Sequence, residues 1–499
     1  MTTDATDVGR SGLIVLVGTG VSMLGFYLLR VVLAQALSRD VFGAIILMLS
    51  LLDIAVIGCL FGLNQGLVKH LPATNRGDHE QNTYITISFG IVGITSILLA
   101  GIGILFLEQV REAAFAGSVS SEFIILTLIA LPFYALIKLS AGTLQGYQES
   151  TLYTLVSKIA LSGGRLIAAV GALLLVGSGI AVVAGILVAY VVTAAFGLAL
   201  ILWTGWRPEF DSDAAILSFF SFSFPLLLSS SLYILLTTAD KVMIGYFTSA
   251  TATVGQYEVV VTIASLLTVF HSSFSFLLFP RISELVSNGR SNEIPSLYNQ
   301  ATRWILIFTV PLLSVILLRP GVFVDLFGDE YTLGSLYMPI VILAGAKLVD
   351  SVLGPNGQAL LGFGKSRTIF IYNSIAVGLN VILNIVLIPR YGVIGAAISS
   401  LVGYICMNFL KTTDLYVNHQ FGFFDRGAVL YSIVALITAT ITSTLIPDST
   451  WIVSSILIVG IIATTALFGG LGALYFTGEV TNEDRKTVKS IIGMFSKVW

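Results

Sequence analysis

The chain has 499 residues, of which 56% are hydrophobic and only 10% charged, and its formal net charge is -2. A mean hydropathy of +0.95 excludes a soluble globule, because only a bilayer tolerates so much apolar surface. The near-neutral balance also gives no electrostatic case for nucleic acid. The two cysteines, Cys59 and Cys406, sit mid-span among apolar neighbours, where small buried side chains are expected. No disulfide framework, metal site or other cofactor follows from them.

About twenty residues are needed to cross the hydrocarbon layer, and on that length the chain divides into about fourteen apolar segments. In order they are 12–37, 42–68, 83–107, 122–146, 151–176, 179–204, 216–247, 255–280, 303–327, 331–361, 368–389, 392–416, 427–447 and 450–476. None alternates as a membrane strand does, so the expected fold class is all-α, a polytopic membrane protein. The first segment is too long for a signal-peptide core and carries Arg30, so it reads as a retained helix. The polar stretches between segments are too short to build a soluble catalytic domain. A tight connection such as Gly177-Ser178-Gly179 implies antiparallel neighbours.

Lys and Arg in the connections set the orientation. One side takes residues such as Lys69, Arg76, Arg207, Arg281, Arg290, Arg303 and Lys411, with Arg485, Lys486, Lys489 and Lys497 of the tail. The other takes Arg39, Arg111, Arg319 and Arg390. A bias of about fifteen to four places both termini in the cytoplasm and requires an even number of spans.

The chain also resembles itself. Arg30-Val31-Val32-Leu33, Ser38 and Phe42-Gly43 return as Lys241-Val242-Met243-Ile244, Ser249 and Val254-Gly255. Further matches, such as Gly179-Ile180 with Gly392-Val393, keep an offset of about 211–216 residues, or six spans. Two pseudo-symmetric six-helix lobes of one orientation are expected, with a repeat axis along the membrane normal. The lobes are 1–204 and 205–416, followed by two extra helices in 417–476 and a cytoplasmic tail, 477–499.

Charges stranded inside spans are costly and therefore informative. The cations are Arg30, Lys138, Lys158, Arg165, Lys241 and Lys347, and the acids read as Asp53, Asp240 and Asp350. Lys347 and Asp350, three apart on one helix, are expected to neutralise each other. Arg30 and Lys241 occupy matching places in the two copies, so the repeat axis brings both to the seam between halves. There they either line a cavity fit for phosphate or pyrophosphate oxygens, or bond a span carbonyl or a local acid: Asp53 for Arg30, Asp240 for Lys241. Lys158 and Arg165 lie seven apart, two turns on one face, and with Lys138 suggest a basic stripe in a wet half-channel. Asp53, Asp240 and His271 are the candidates for ion coupling or charge pairing, although a histidine so placed is more often a packing residue than a proton relay. Asn380 and Asn384 are expected to join helices by side-chain hydrogen bonds. No nucleotide-binding loop, nucleophile elbow or metal-ligand cluster is present, so the chain reads as a transporter and not an enzyme.

Several stretches carry a family resemblance: Arg30 to Gly43; Ala239-Asp240-Lys241-Val242-Met243-Ile244-Gly245 with Val254-Gly255-Gln256-Tyr257; Leu278-Phe279-Pro280-Arg281-Ile282-Ser283; and Asn384-Ile385-Val386-Leu387-Ile388-Pro389-Arg390-Tyr391-Gly392 with Gly395-Ala396-Ala397. Over about the whole chain these resemble the polysaccharide-transporter branch of the multidrug/oligosaccharidyl-lipid/polysaccharide (MOP) exporter superfamily. The resemblance implies a two-lobed bundle, alternating access, and a cationic central cavity for a lipid-linked phosphate or pyrophosphate oligosaccharide. Basic residues of the first helix would line it, here Arg30, with Lys241 at the matching second-half position. In some relatives the last two helices hold the lipid tail, which makes 427–476 the candidate here. The expected partners are the lipid-linked glycan, membrane lipids and glycosyltransferases of the same pathway. The expected function is a flippase of the cytoplasmic membrane serving surface polysaccharide or protein glycosylation. The alternatives are a cation-coupled multidrug exporter, which should carry more membrane acids than Asp53 in the first half, and a polytopic glycan polymerase or ligase, which should carry a large outer loop.

Overall fold

The computed structural model describes residues 5–73, 79–211, 216–422, 426–446 and 452–479, and among them every regular element is helical. Arg76, the tail cations from Arg485 to Lys497 and the tail beyond residue 479 lie outside the described residues.

From the N-terminus the helices are α1 (Ala5–Ala36), α2 (Arg39–Leu60), α3 (Leu63–His70), α4 (His79–Leu105), α5 (Leu107–Phe115), α6 (Ser121–Gly146), α7 (Ser150–Thr154), α8 (Leu161–Val176), α9 (Gly179–Trp203), α10 (Ile216–Thr248) and α11 (Thr251–Ser265). They continue with α12 (Thr268–Ser287), α13 (Ile294–Leu318), α14 (Pro320–Val324), α15 (Leu333–Val352), α16 (Asn356–Gly362), α17 (Ser366–Tyr391), α18 (Val393–His419), α19 (Arg426–Leu445) and α20 (Ile452–Phe476). Each apolar segment read from the sequence is, among the described residues, mostly helical, with 42–68 and 303–327 among those running over more than one helix. Among the described residues, 12 helices are long and apolar enough to cross a membrane, or up to 13 if the bent pair α11–α12 forms one span. The count differs from fourteen at two segments. Segment 255–280 is broken by a 55° bend between Ser265 and Thr268, and segment 216–247 lies on α10, part of whose side chains fall outside the described residues. The chain is a multi-pass membrane protein.

The chain divides into two compact units. The first comprises Met1–Val259, Phe327–Glu330 and Val377–Ser399. Its centre is α2, in which Phe42, Ile45, Ile46 and Leu47 are fully buried. It packs against α4, α6 and α10. Helix α1 meets α7 and α8 along small residues: Ser22 and Ser162 share a hydrogen bond of 2.7 Å, and a Cβ on Gly18 would lie 2.1 Å from Thr154 Cγ2. Without water to drive association, such close approach supplies the packing. The α8–α9 turn is made by Gly177 in the left-handed region (φ 71°) and Ser178, whose hydroxyl accepts from the Ala181 amide at 3.2 Å.

The second unit comprises Val260–Leu326, Tyr331–Ala376 and the chain from Ser400 on. Helices α19 and α20 pack on α13. Pro311 inside α13 has no amide hydrogen, which leaves the carbonyl of Ile307 without its helical donor. The Tyr431 hydroxyl of α19 donates to that carbonyl at 2.7 Å. Arg319 donates to the carbonyls of Ser443 and Ile446, both at 2.6 Å, and satisfies the end of α19.

Two residues counted as connection cations prove to be helical and buried. Arg303 lies in α13 and donates to the Glu479 carbonyl at 2.8 Å, and Lys411 lies in α18. Lys347 and Asp350 do not neutralise each other. Lys347 donates to the Tyr404 hydroxyl at 2.5 Å, and Asp350 accepts from Asn408 at 3.0 Å. Both are drawn instead to α18, which carries Tyr404 and Asn408.

Candidate functional site

The first unit gathers its charged side chains into two buried groups. In the first group Arg30 descends from α1, Lys241 from α10 and Glu258 from α11. Arg30 Nε donates to Glu258 Oε1, and Lys241 Nζ lies 2.7 Å from Glu258 Oε2. The carboxylate side chain is fully sealed (0% exposed), while those of Arg30 and Lys241 keep 9% and 10% exposure. Arg30 also stacks on Phe26, its guanidinium carbon 3.2 Å from the ring centroid. Of the local partners the sequence offers, Arg30 takes the span carbonyl of Phe26, to which its Nη1 donates at 3.3 Å, while the acid of the pair is Glu258 and neither Asp53 nor Asp240. Asp240 is engaged elsewhere, accepting from the Tyr257 hydroxyl at 2.8 Å and from the Asn384 amide at 2.7 Å. Asn384 thereby joins α17 to α10, and its bond to Asn380 at 3.1 Å runs within α17.

Glu258 is absent from the acids read from the sequence. The signal was present: an acid immediately before Val259-Val260-Val261 stands inside an apolar run and should be counted with the other intramembrane charges. The family-like stretch ending at Tyr257 stops one residue short of it.

The second group surrounds two tyrosines. Tyr134 of α6 and Tyr190 of α9 stack with centroids 5.1 Å apart, and the Arg165 guanidinium of α8 lies 5.1 Å and 4.8 Å from their rings. Tyr134 donates to Asp53 Oδ1 at 2.5 Å, and Lys138 Nζ lies 5.0 Å from the Tyr134 ring. Each such cation–π contact contributes about 0.5–2 kcal/mol where water is scarce.

Lys158 and Arg165 do not share a face. Residues Leu155–Ala160 form a π turn, which widens the helix and rotates the turns beyond it. The Lys158 stem passes Gly18 of α1, 3.7 Å from where a Cβ there would sit, whereas Arg165 faces α6 and α9. His271 stands on α12 in the second unit, its Nδ1 buried without a hydrogen-bond partner among the described residues. The first unit also holds a cavity of about 830 Å³, walled by apolar side chains such as Leu51, Leu99, Phe106, Leu128, Met243 and Ile385.

A family model described as polysaccharide biosynthesis protein matches residues 8–286, a little over half the chain. The chain belongs to that family. A second model, MatE, matches residues 225–386. Among curated relatives of this family member, the "Probable low-salt glycan biosynthesis flippase Agl15" of Haloferax volcanii is 24% identical over 414 residues, covering 81% of each chain. The "Probable flippase AglR" of the same organism is 31% identical over 163 residues, 32% of this chain and 34% of its own. Among solved structures, the lipid II flippase MurJ in an inward closed conformation shares the fold with a TM-score of 0.73 at 14% identity, covering 94% of this chain and all of its own. An inward-facing multidrug resistance MATE family transporter of the MOP superfamily gives 0.63 at 14% identity, over 81% and 96%. The family member thus shares the fold of these membrane transporters.

Proposed function

We propose that this transporter is a flippase for a lipid-linked oligosaccharide, the lipid joined to the glycan through phosphate or pyrophosphate, acting by alternating access in the cytoplasmic membrane. It would serve surface polysaccharide or protein glycosylation, alongside glycosyltransferases of the same pathway. The observation that carries this reading is the convergence of Arg30 and Lys241 on one carboxylate, with about a tenth of each cation's side chain exposed. Around them the count of Arg30, Lys241, Lys138, Lys158 and Arg165 against Asp53, Asp240 and Glu258 leaves the interior cationic. Such an interior attracts an anionic headgroup and repels the cations that a drug exporter would carry. Arg30 supplies a planar fork for two phosphate oxygens and Lys241 a compact point charge. A relative named as a probable glycan biosynthesis flippase supports the substrate class.

The division into lobes 1–204 and 205–416 belongs to the same reading. Gly43 and Gly255, matched in the two copies, approach each other closely, a Cβ on Gly255 lying 3.4 Å from Gly43 Cα. Helix pairs that repeat about a common axis meet at matched residues in this way.

The test is delivery of glycan to the outer face. Arg30→Ala and Lys241→Ala, made separately, are each expected to cut it by at least tenfold at unchanged protein abundance. Unchanged surface glycan in both variants rejects the mechanism.

A further inference from the structure

Glu258 has no function in the reading above, yet it occupies the place where that reading puts a phosphate. We propose that Glu258 is the resident counter-ion of an anion-exchange site: its carboxylate occupies Arg30 and Lys241 in the empty carrier and is displaced when the substrate's phosphate groups arrive. This inference rests on the proposed flippase function.

The geometry has three parts. Both carboxylate oxygens are used, one by each cation, as the oxygens of a phosphate ester would be. The carboxylate side chain is sealed at 0% exposure while the cations retain 9% and 10%, so what little of the site is exposed is cationic. Charge is the third part. Counted at the two cations alone, the carboxylate leaves one positive charge, a pyrophosphate diester in its place leaves none, and both anions together leave one negative charge on the pair, which favours exchange over joint occupancy. An internal anion also lets the empty carrier keep its two cations paired while it reorients, so the resting site need not hold a substrate.

The experiment uses the purified full-length protein in lipid nanodiscs with inorganic pyrophosphate as probe, at one fixed pH and low salt. Glu258→Gln keeps the shape and removes the competing charge, and calorimetric titration is expected to show binding at least tenfold tighter than in the wild type. Adding Arg30→Ala or Lys241→Ala to that variant should abolish the gain. An affinity within twofold of wild type in Glu258→Gln, while Arg30→Ala still weakens binding, overturns the exchange and leaves the flippase reading standing. Pyrophosphate affinity that neither Arg30→Ala nor Lys241→Ala changes, in either background, overturns the flippase site itself. A second readout needs no variant at residue 258. In the wild type, labelling of Glu258 by a hydrophobic carbodiimide, mapped by peptide mass spectrometry, is expected to rise at least threefold when pyrophosphate is added. Unchanged labelling counts against displacement even if Glu258→Gln fails to fold.

Discussion

Glu258 is bound by cations from two different helices, and that asymmetry sets what each substitution costs. Removing Lys241 leaves the acid paired with Arg30, and removing Glu258 leaves two buried cations unpaired. Glu258→Ala is therefore expected to destabilise the protein by about 3–5 kcal/mol, the range for breaking a buried ion pair. Lys241→Met should cost less, about 1–3 kcal/mol, since one charge-assisted bond is lost and the other kept. Thermal unfolding of the purified protein in detergent orders the two, and equal losses would mean that Arg30 does not depend on this carboxylate. The cations themselves were legible as residues: Arg30 and Lys241 stand out by being charged within apolar runs and by matching across the repeat. Their acid was not assigned, because Glu258 lies 228 residues from Arg30 and no local pattern links the two.

At the scale of elements, α2 and α11 meet backbone to backbone. A Cβ on Gly43 would lie 1.8 Å from the Thr251 carbonyl oxygen and 2.9 Å from the Gly255 amide nitrogen, both rigid backbone atoms. Asp40 of α2 accepts from the Thr251 hydroxyl and the Ala252 amide, each at 3.3 Å, at the start of α11. Gly43→Ala is thus expected to overpack this junction at a cost of about 1–3 kcal/mol or more. Gly58→Ala on the same helix meets nothing within 4 Å and should be neutral or slightly stabilising through helix propensity. Comparing the two midpoints in one detergent separates close approach from helix content; a neutral Gly43→Ala would sink the junction. The repeat in the sequence had marked Phe42-Gly43 and Val254-Gly255 as equivalent, though not that they touch. The π turn at Leu155–Ala160 is the opposite case: nothing in its composition distinguishes it from α-helix, and it moved Lys158 off the face of Arg165.

At the scale of the whole molecule, the charge bias of the connections gives a topology that can be tested without knowing the span count. With Cys59 and Cys406 replaced, Ser178→Cys between α8 and α9 is expected to react with an impermeant maleimide in intact cells. Ser291→Cys, in the polar stretch after α12, should react only after permeabilisation. The reverse pattern would invert the proposed orientation. The all-helical membrane fold was legible because it depends on a one-dimensional quantity: about twenty consecutive apolar residues cannot remain in water, and only a helix satisfies their backbone in lipid. The location of the cations was legible for the same reason, since a charge in such a run is conspicuous wherever the run folds.

What tertiary structure alone decided is who answers each charge. Asp53 went to Tyr134, Asp240 to Tyr257 and Asn384, Lys347 to Tyr404, and both Arg30 and Lys241 to Glu258. Hydrophobic transfer is summed along the chain and is indifferent to arrangement, so composition determines it. Pairing energy in a medium without water falls off over a few ångströms and depends on direction, so it is set only when helices distant in sequence have packed together.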